Sequence, residues 1–232
     1  IKSNILFKYL ISIFLISVIS LLLIAQPDIG QTLLVVFCWA VLIFTSGINI
    51  YILLAIFIAG ASLLAYLIIF VPKFDYIQGR IFSFFNRETG THNFQSDKAI
   101  ESITSGGFFG KGIGEGVLKN RVPEAHTDYI ISVISEEFGV VAIMLILLLF
   151  LILIYMVFKK ISFETNDKVK LILIGSISLI LMQATIHIGV NIRLFPTTGM
   201  TLPFLSYGGS SIISTSILAG IILNLTKRKI TQ

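Results

Sequence analysis

Apolar residues run in long blocks rather than alternating with polar ones, and short clusters of Pro, Gly, Asn and charge divide the blocks. The blocks are Ile5 to Ala25, Thr32 to Thr45, Asn49 to Val71, about Tyr129 to Phe158, Leu171 to about Gly189, and a last run starting near Phe204. A helix needs ~20 apolar residues to cross about 30 Å of hydrocarbon. The pattern therefore predicts six membrane spans. Their ends have physical causes: Pro27 breaks the first run, Asp28 is placed to cap the second, Ser46-Gly47 turns the chain, and Pro72 stops the third. The fourth exceeds a minimal crossing, so it tilts or protrudes, and Lys159-Lys160 closes it.

Between the third and fourth blocks lies the longest polar stretch, Lys73 to His126, which carries seven Lys or Arg and reads as an extramembrane loop over residues 72–127. Asp97 is placed to cap a short helix whose Ala99, Ile100 and Ile103 share a face and which ends at Ser105-Gly106. The run Gly106 to Gly114 looks like a nucleotide loop but lacks the required spacing, with Ser105 where Gly is needed and Gly112 after the Lys. Its glycines instead suit tight turns and close backbone approach to a ligand or the membrane surface. Lys111, Lys119 and Arg121 are the cations there that are placed to meet phosphate. Pro196, Gly199 and Pro203 do not fit one regular helix, so the segment after Asn191 is irregular or re-entrant. Such backbone is tolerated at membrane depth only inside protein or beside a wet cavity.

Composition turns this pattern into a class. Of 232 residues, 56% are hydrophobic and only 12% charged, with a mean hydropathy of +0.96, far from the roughly 25% charge of soluble domains. This is an all-α integral membrane protein, a polytopic helix bundle forming a single membrane domain over residues 1–232. One cysteine, Cys38 in an apolar run, rules out a disulfide framework or a Cys-rich metal site. A net charge of +5 suits anionic headgroups or pyrophosphate-bearing lipids, and no nucleic-acid module is evident. Ile1 opens the chain without a charged leader, so the first run reads as a span and the chain as part of a larger gene product. Six spans put both termini on one side. Nine basic residues at Lys2/Lys8, Lys159 to Lys170 and Lys227 to Lys229 mark that side as cytoplasmic, while seven acids from Asp75 to Asp128 offset the loop's own seven cations.

One stretch concentrates charge at the head of the fourth block, namely Pro123-Glu124-Ala125-His126-Thr127-Asp128-Tyr129. Ionisable groups at the edge of hydrocarbon are costly without a partner, water or a task. A lone Asp128 would more often be a helix cap, but Glu124 and His126 beside it favour a site. Continuing the helix from Asp128 aligns Ser132, Ser135 and Gly139 below it within about 60°, with Glu136 at the margin and Glu137 opposite.

These motifs together resemble the SEDS (shape, elongation, division and sporulation) family of integral-membrane peptidoglycan glycosyltransferases. The likeness spans nearly the whole chain. It rests on Gln26-Pro27-Asp28-x-Gly30, on Phe94-Gln95 leading to Ala99 and Ser102, on Gly107-x-x-Gly110-x-Gly112-x-Gly114, and on Glu136-Glu137-x-Gly139. It rests most on Pro123 to Asp128, and on Pro196-Thr197-Thr198-Gly199 through Leu202-Pro203-Phe204-Leu205-Ser206-Tyr207-Gly208-Gly209-Ser210-Ser211. Ala125 and the pairs Glu101-Ser102 and Glu115-Gly116 are more similar to the branch of the division protein FtsW than to the elongation branch of RodA. Two positions depart from the family pattern, His187 where Asn is frequent and Arg193 where Gly is common.

The resemblance implies a fold of about ten spans, of which six are present here, with the large loop in the periplasm. It implies polymerisation of lipid II into glycan strands at the outer face of the bacterial plasma membrane, at the division septum, with release of a polyprenyl diphosphate. Asp128 then matches the family's important Asp and is assigned here as the general base, with Glu124 and His126 orienting it or the acceptor. Lys111, Lys119, Gln95, Thr198, Ser206, Tyr207 and Ser210 are the substrate-binding candidates. No metal ligand is assigned, since Asp128 and Glu124 give only two oxygens, and the cofactor stays open between none and a divalent cation such as magnesium or manganese. Implied partners are lipid II and polyprenyl-diphosphate-linked glycan, a class B penicillin-binding transpeptidase, other divisome proteins and membrane lipid. Two other readings stand beside this one. A lipid-linked precursor flippase or transporter would want charges deeper in the bundle, and a non-catalytic scaffold would leave the carboxylates unexplained.

Overall fold

The computed structural model describes residues 2–85, 91–118 and 122–227, and among these it contains helices and no strand. The helices are α1 (Lys2–Ala25), α2 (Ile29–Thr45), α3 (Ile50–Phe70), α4 (Asp75–Phe85), α5 (Thr91–Gly106), α6 (Ile130–Phe163), α7 (Asp167–Asn191) and α8 (Gly209–Thr226). Five of them, α1, α3, α6, α7 and α8, are long and apolar enough to cross a bilayer. The sixth expected span is α2, whose 17 residues sit at the short end of the crossing range. Asp28 caps it as expected, accepting a hydrogen bond from the Gln31 amide at 2.9 Å. The chain is an all-α, multi-pass membrane protein.

Helix α7 is the hub. Half of its apolar window is buried inside the protein, against none of that of α1 and 6% of that of α6, because α2, α6 and α8 all pack around it. Small residues permit the approach, since Gly175 faces Leu42 of α2 and its carbonyl accepts from the Cys38 thiol at 3.5 Å. Cys38 is thus a packing residue. The outward faces of α1, α3 and the second half of α6 carry exposed Leu, Ile and Phe, as a lipid-facing surface does.

Three expectations are corrected. The last helix begins at Gly209 rather than near Phe204, because Pro203 and the left-handed Phe204 (φ 68°) keep that stretch irregular. Asp97 lies inside α5 rather than at its start, which is Thr91, although the helix does end at Gly106. The fourth span starts at Ile130, so Asp128 sits in the turn before it, and the helix is interrupted at Gly139 (φ 76°, ψ −175°).

That interruption organises one end of the molecule. In an unbroken helix the amides of Val140 and Val141 would bond to the carbonyls of Glu136 and Glu137. Here all four groups pair with the glycine-rich loop after α5: Lys111 and Gly112 amides donate to the Glu136 and Glu137 carbonyls at 2.9 and 3.0 Å, while Val140 and Val141 donate to Gly107 and Phe108 at 3.0 and 3.3 Å. No backbone bond is lost by the exchange. It demands glycine, since a Cβ at Gly110 would lie 2.1 Å from the Glu137 oxygen and one at Gly139 would lie 2.2 Å from that of Phe108. Close approach was expected of this loop, but what it approaches is the backbone of α6.

Candidate functional site

Asp128 lies in the tight turn that leads into α6. Glu124 adopts a left-handed conformation (φ 54°), and its carbonyl accepts from the amides of Thr127, Asp128 and Tyr129 at 3.1, 3.0 and 3.3 Å. The turn is then tied to the irregular segment between α7 and α8. Ser206 donates its hydroxyl to the Thr127 carbonyl at 2.6 Å and accepts from the Leu202 amide at 2.8 Å, while the Tyr207 amide donates to the His126 carbonyl at 3.0 Å. Asn191, at the end of α7, donates to the Asp128 carbonyl at 3.0 Å.

The irregular segment is itself held by one stripe of α7. Gln183, His187 and Asn191 recur every four residues and so share a face. Gln183 donates to the Thr201 carbonyl at 3.0 Å and His187 Nδ1 meets the Met200 carbonyl at 2.7 Å. Gln183 lies about 12 Å below Asn191 along the helix, so the segment folds back along α7, a re-entrant path whose backbone is satisfied by side chains. His187, one of the two departures from the family pattern, is fully used in this way on its Nδ1 side. The other, Arg193, reaches Asp97 of α5 in an ion pair.

These ties leave a cavity of about 230 Å³ lined by Arg80, Gln95, Asp128, Tyr129, Val190, Thr197, Gly199 and Met200. The Asp128 carboxylate is half-buried, and a Cβ on Gly199 would be only 3.6 Å from its Oδ2. Among the described residues no cation lies within salt-bridge distance of it. Burial, and then the negative charge of Glu124, push its carboxyl above the usual range, and the neighbouring Thr127 hydroxyl opposes them. A carboxylate so placed is poised to take a proton. Burial also raises the Tyr129 phenol, whose hydroxyl is enclosed with no hydrogen-bond partner among the described residues.

Arg80 is the cation of this cavity. It projects from α4, bonds to the Thr197 carbonyl at 3.3 Å and stands 6.0 Å from the Tyr76 ring centroid. Sequence reading passes over it because it is one of seven cations in the long polar stretch. The available signal is its place on an amphipathic helix, Asp75 to Phe85, that follows Pro72.

Of the sequence candidates, Asp128 and Gln95 line the cavity together. Thr198 lies against Gly30 with its buried hydroxyl unpartnered among the described residues. Glu124 and His126 are exposed beside the cavity, Glu124 accepting from the Thr127 hydroxyl at 3.0 Å. Ser206 serves as the staple between the two loops, the Tyr207 side chain is 77% exposed, and Ser210 sits exposed in the first turn of α8. Lys111 is elsewhere. Its ammonium lies 3.4 Å from the fully buried Glu136 carboxylate, which also accepts from the Ser102 hydroxyl and the Leu118 amide, both at 3.0 Å. Lys119 and Arg121 fall outside the described residues. A tightly held divalent cation fits poorly, because Asp128 and Glu124 offer two carboxylates and no group of three metal-ligating side chains occurs among the described residues.

Comparison with known proteins bears on the fold and the family. The chain is 36% identical over 210 residues to the probable peptidoglycan glycosyltransferase FtsW of Caulobacter vibrioides, covering 90% of this chain and 52% of that protein. Against the protein of the same name from Enterococcus hirae it is 32% identical over 238 residues, covering 97% and 60%. A solved structure, described as structural coordination of polymerization and crosslinking by a peptidoglycan synthase complex, superposes with a TM-score of 0.72 at 29% identity, over 94% of this chain and 60% of that one. A mutant of the rod shape determining protein RodA from Thermus thermophilus superposes at 0.63 with 26% identity, over 97% and 59%. The chain thus spans little more than half the length of these relatives. The family model for FtsW, RodA and SpoVE, described as cell cycle protein, matches residues 2–230, and the chain belongs to that SEDS family.

Proposed function

We propose that this chain is the catalytic half of a peptidoglycan glycosyltransferase that polymerises lipid II at the outer face of the plasma membrane. The observation that carries the reading is the Asp128 carboxylate, raised in proton affinity and unpaired among the described residues, in one cavity with the Arg80 guanidinium. Glycosyl transfer needs both signs of charge. As the acceptor sugar hydroxyl attacks the anomeric carbon, its proton passes to Asp128 and a new C–O bond forms. The bond from that carbon to the pyrophosphate oxygen breaks, and the polyprenyl diphosphate leaves with the electron pair. Arg80 stabilises the charge that develops on it. Gln95, which lines the cavity, is placed to hold a sugar hydroxyl, and Glu124 and His126 orient the acceptor at the rim.

The same reading makes the partner a class B penicillin-binding transpeptidase, in line with the likeness to a peptidoglycan synthase complex. It places the protein at the division septum, in line with the FtsW relatives. The test is strand synthesis from purified lipid II by the complete gene product with its partner. Asp128→Asn is expected to lower the rate at least about a hundred-fold while expression and partner capture stay normal. Strands formed at the normal rate would remove the base assignment, and lipid II movement across vesicles without any strands would favour a transporter.

A further inference from the structure

The end of the bundle opposite Asp128 holds a much larger cavity, about 1220 Å³, lying open between the last turns of α6, the start of α7 and the end of α8. That exceeds the roughly 300–1,000 Å³ of small-molecule clefts. Its long wall runs from Leu153 to Phe163 of α6, about 15 Å at 1.5 Å per residue, and faces Ile222, Leu223 and Leu225 of α8. Its charged groups are Lys159, Lys160, Glu164 and Lys227, and Asn166, Asn224 and Thr226 add polar side chains. One of these cations is matched, since Lys160 lies 3.1 Å from Glu164. Lys159 and Lys227 have no carboxylate within salt-bridge distance among the described residues, although Lys159 stands 5.9 Å from the Tyr155 ring centroid.

We infer that this trough is a binding site for an anionic phospholipid, its acyl chain along the apolar wall of α6 and its phosphate between Lys159 and Lys227. Charge and position favour this occupant over others. A neutral lipid would leave the two rim cations without an anionic partner, whereas a phosphodiester compensates them at the level where helix ends meet water. A prenyl diphosphate handled at Asp128 belongs at the other end of the bundle. Glu164, Asp167, Lys168 and Lys170 also lie near this end, but Asp167 pairs with Lys170 at 3.6 Å and Lys168 stands outside the lining.

The experiment uses the complete gene product in nanodiscs of equal phosphatidylglycerol and phosphatidylcholine, followed by native mass spectrometry of the released protein. The double variant K159Q/K227Q is expected to retain about tenfold less phosphatidylglycerol, with phosphatidylcholine unchanged, while Lys168→Gln retains the wild-type amount. Equal retention by the double variant, or equal loss in Lys168→Gln, overturns the proposal. A photo-crosslinker at Met156 supplies the second arm. Capture of phosphatidylglycerol supports the site, whereas capture of another segment of the same polypeptide, or displacement of the lipid by equimolar polyprenyl phosphate, overturns it.

Discussion

The two halves of α6, on either side of Gly139, show two ways of satisfying the same backbone. Before Gly139, Ile131, Ser132, Val133, Ser135 and Glu136 are all buried, whereas after it only Val157 is. The second half closes its own helical hydrogen bonds, so its sequence has little to do beyond being apolar toward lipid. The first half gives up two of those bonds and recovers them from a loop some thirty residues earlier in the chain. Specificity accumulates where the helix depends on another segment. The glycines, the buried Glu136 and the Asp128 turn all sit on that dependent side.

The sharpest way to break this contrast is to put a methyl group where the two backbones touch. Gly110→Ala drives a Cβ to 2.1 Å from the Glu137 oxygen at a left-handed φ of 76°, whereas Gly220 in α8 has nothing within 4 Å of its ideal Cβ. Gly110→Ala is expected to lose folded protein altogether, by upwards of about 4 kcal/mol. Gly220→Ala is expected to be neutral or slightly stabilising. Yield after gel filtration and thermal unfolding in detergent compare them, and equal behaviour of the pair would mean that the loop does not replace the helical bonds.

Next in size is Glu136→Ala. It strands the Leu118 amide, leaves the Ser102 hydroxyl only its longer bond to the Ser132 carbonyl, and leaves Lys111 without its counter-charge, for an expected loss of about 3 kcal/mol. Glu136→Gln keeps an acceptor and is expected to lose less. Thermal unfolding checks the order, and an unchanged melting temperature in Glu136→Ala would show that the buried carboxylate is not what joins α5, the loop and α6.

How far the sequence reveals all this follows from the same asymmetry. Apolar blocks locate the spans because lipid tests only hydropathy and length, and Asp128 stands out because charge at a helix head is costly there. Gly139 reads only as a small residue on a polar seam, since its φ is imposed by a loop far away in sequence. The helical wheel puts Glu136 at the margin and leaves Lys111 free for phosphate, because a wheel shows nothing of α5 and the glycine-rich loop, which bring Ser102, Lys111 and Leu118 to that carboxylate. Arg80 is hidden among other cations for want of a tertiary partner. The Gln183, His187, Asn191 stripe is visible as a four-residue period, but its acceptors are backbone carbonyls of an irregular segment that no periodicity announces.

A smaller effect probes the Asp128 turn through pH. Burial and then Glu124 hold the Asp128 carboxyl above its ordinary value, and the base must be ionised, so strand synthesis by the complete gene product should rise with pH along an acidic limb displaced upward. Stability runs the opposite way. A carboxyl whose folded pKa is raised contributes stability at low pH that is lost as pH rises through the folded value. Glu124→Gln removes the second cause while keeping the acceptor for Thr127, so the limb should move to lower pH, while the plateau rate falls with the loss of its part in orienting the acceptor. A limb that stays put would show that Glu124 does not act on Asp128 through its charge.

The smallest expected effect concerns Arg193, where two opposing contributions nearly cancel. Its left-handed backbone (φ 59°) costs about 1 kcal/mol in a residue with a side chain, and Gly would remove that strain while adding chain entropy of about 0.5–1 kcal/mol in the unfolded state. Arg193→Gly also deletes the ion pair with Asp97, a partly exposed contact worth at most about 1 kcal/mol. The net change should lie within about 1 kcal/mol of zero, a melting shift of a few degrees at most. A double-mutant cycle with Asp97→Asn separates the parts. If the ion pair fastens α5 to the end of α7, Asp97→Asn destabilises the wild type and does nothing in the Arg193→Gly background; equal effects in both would make the contact incidental.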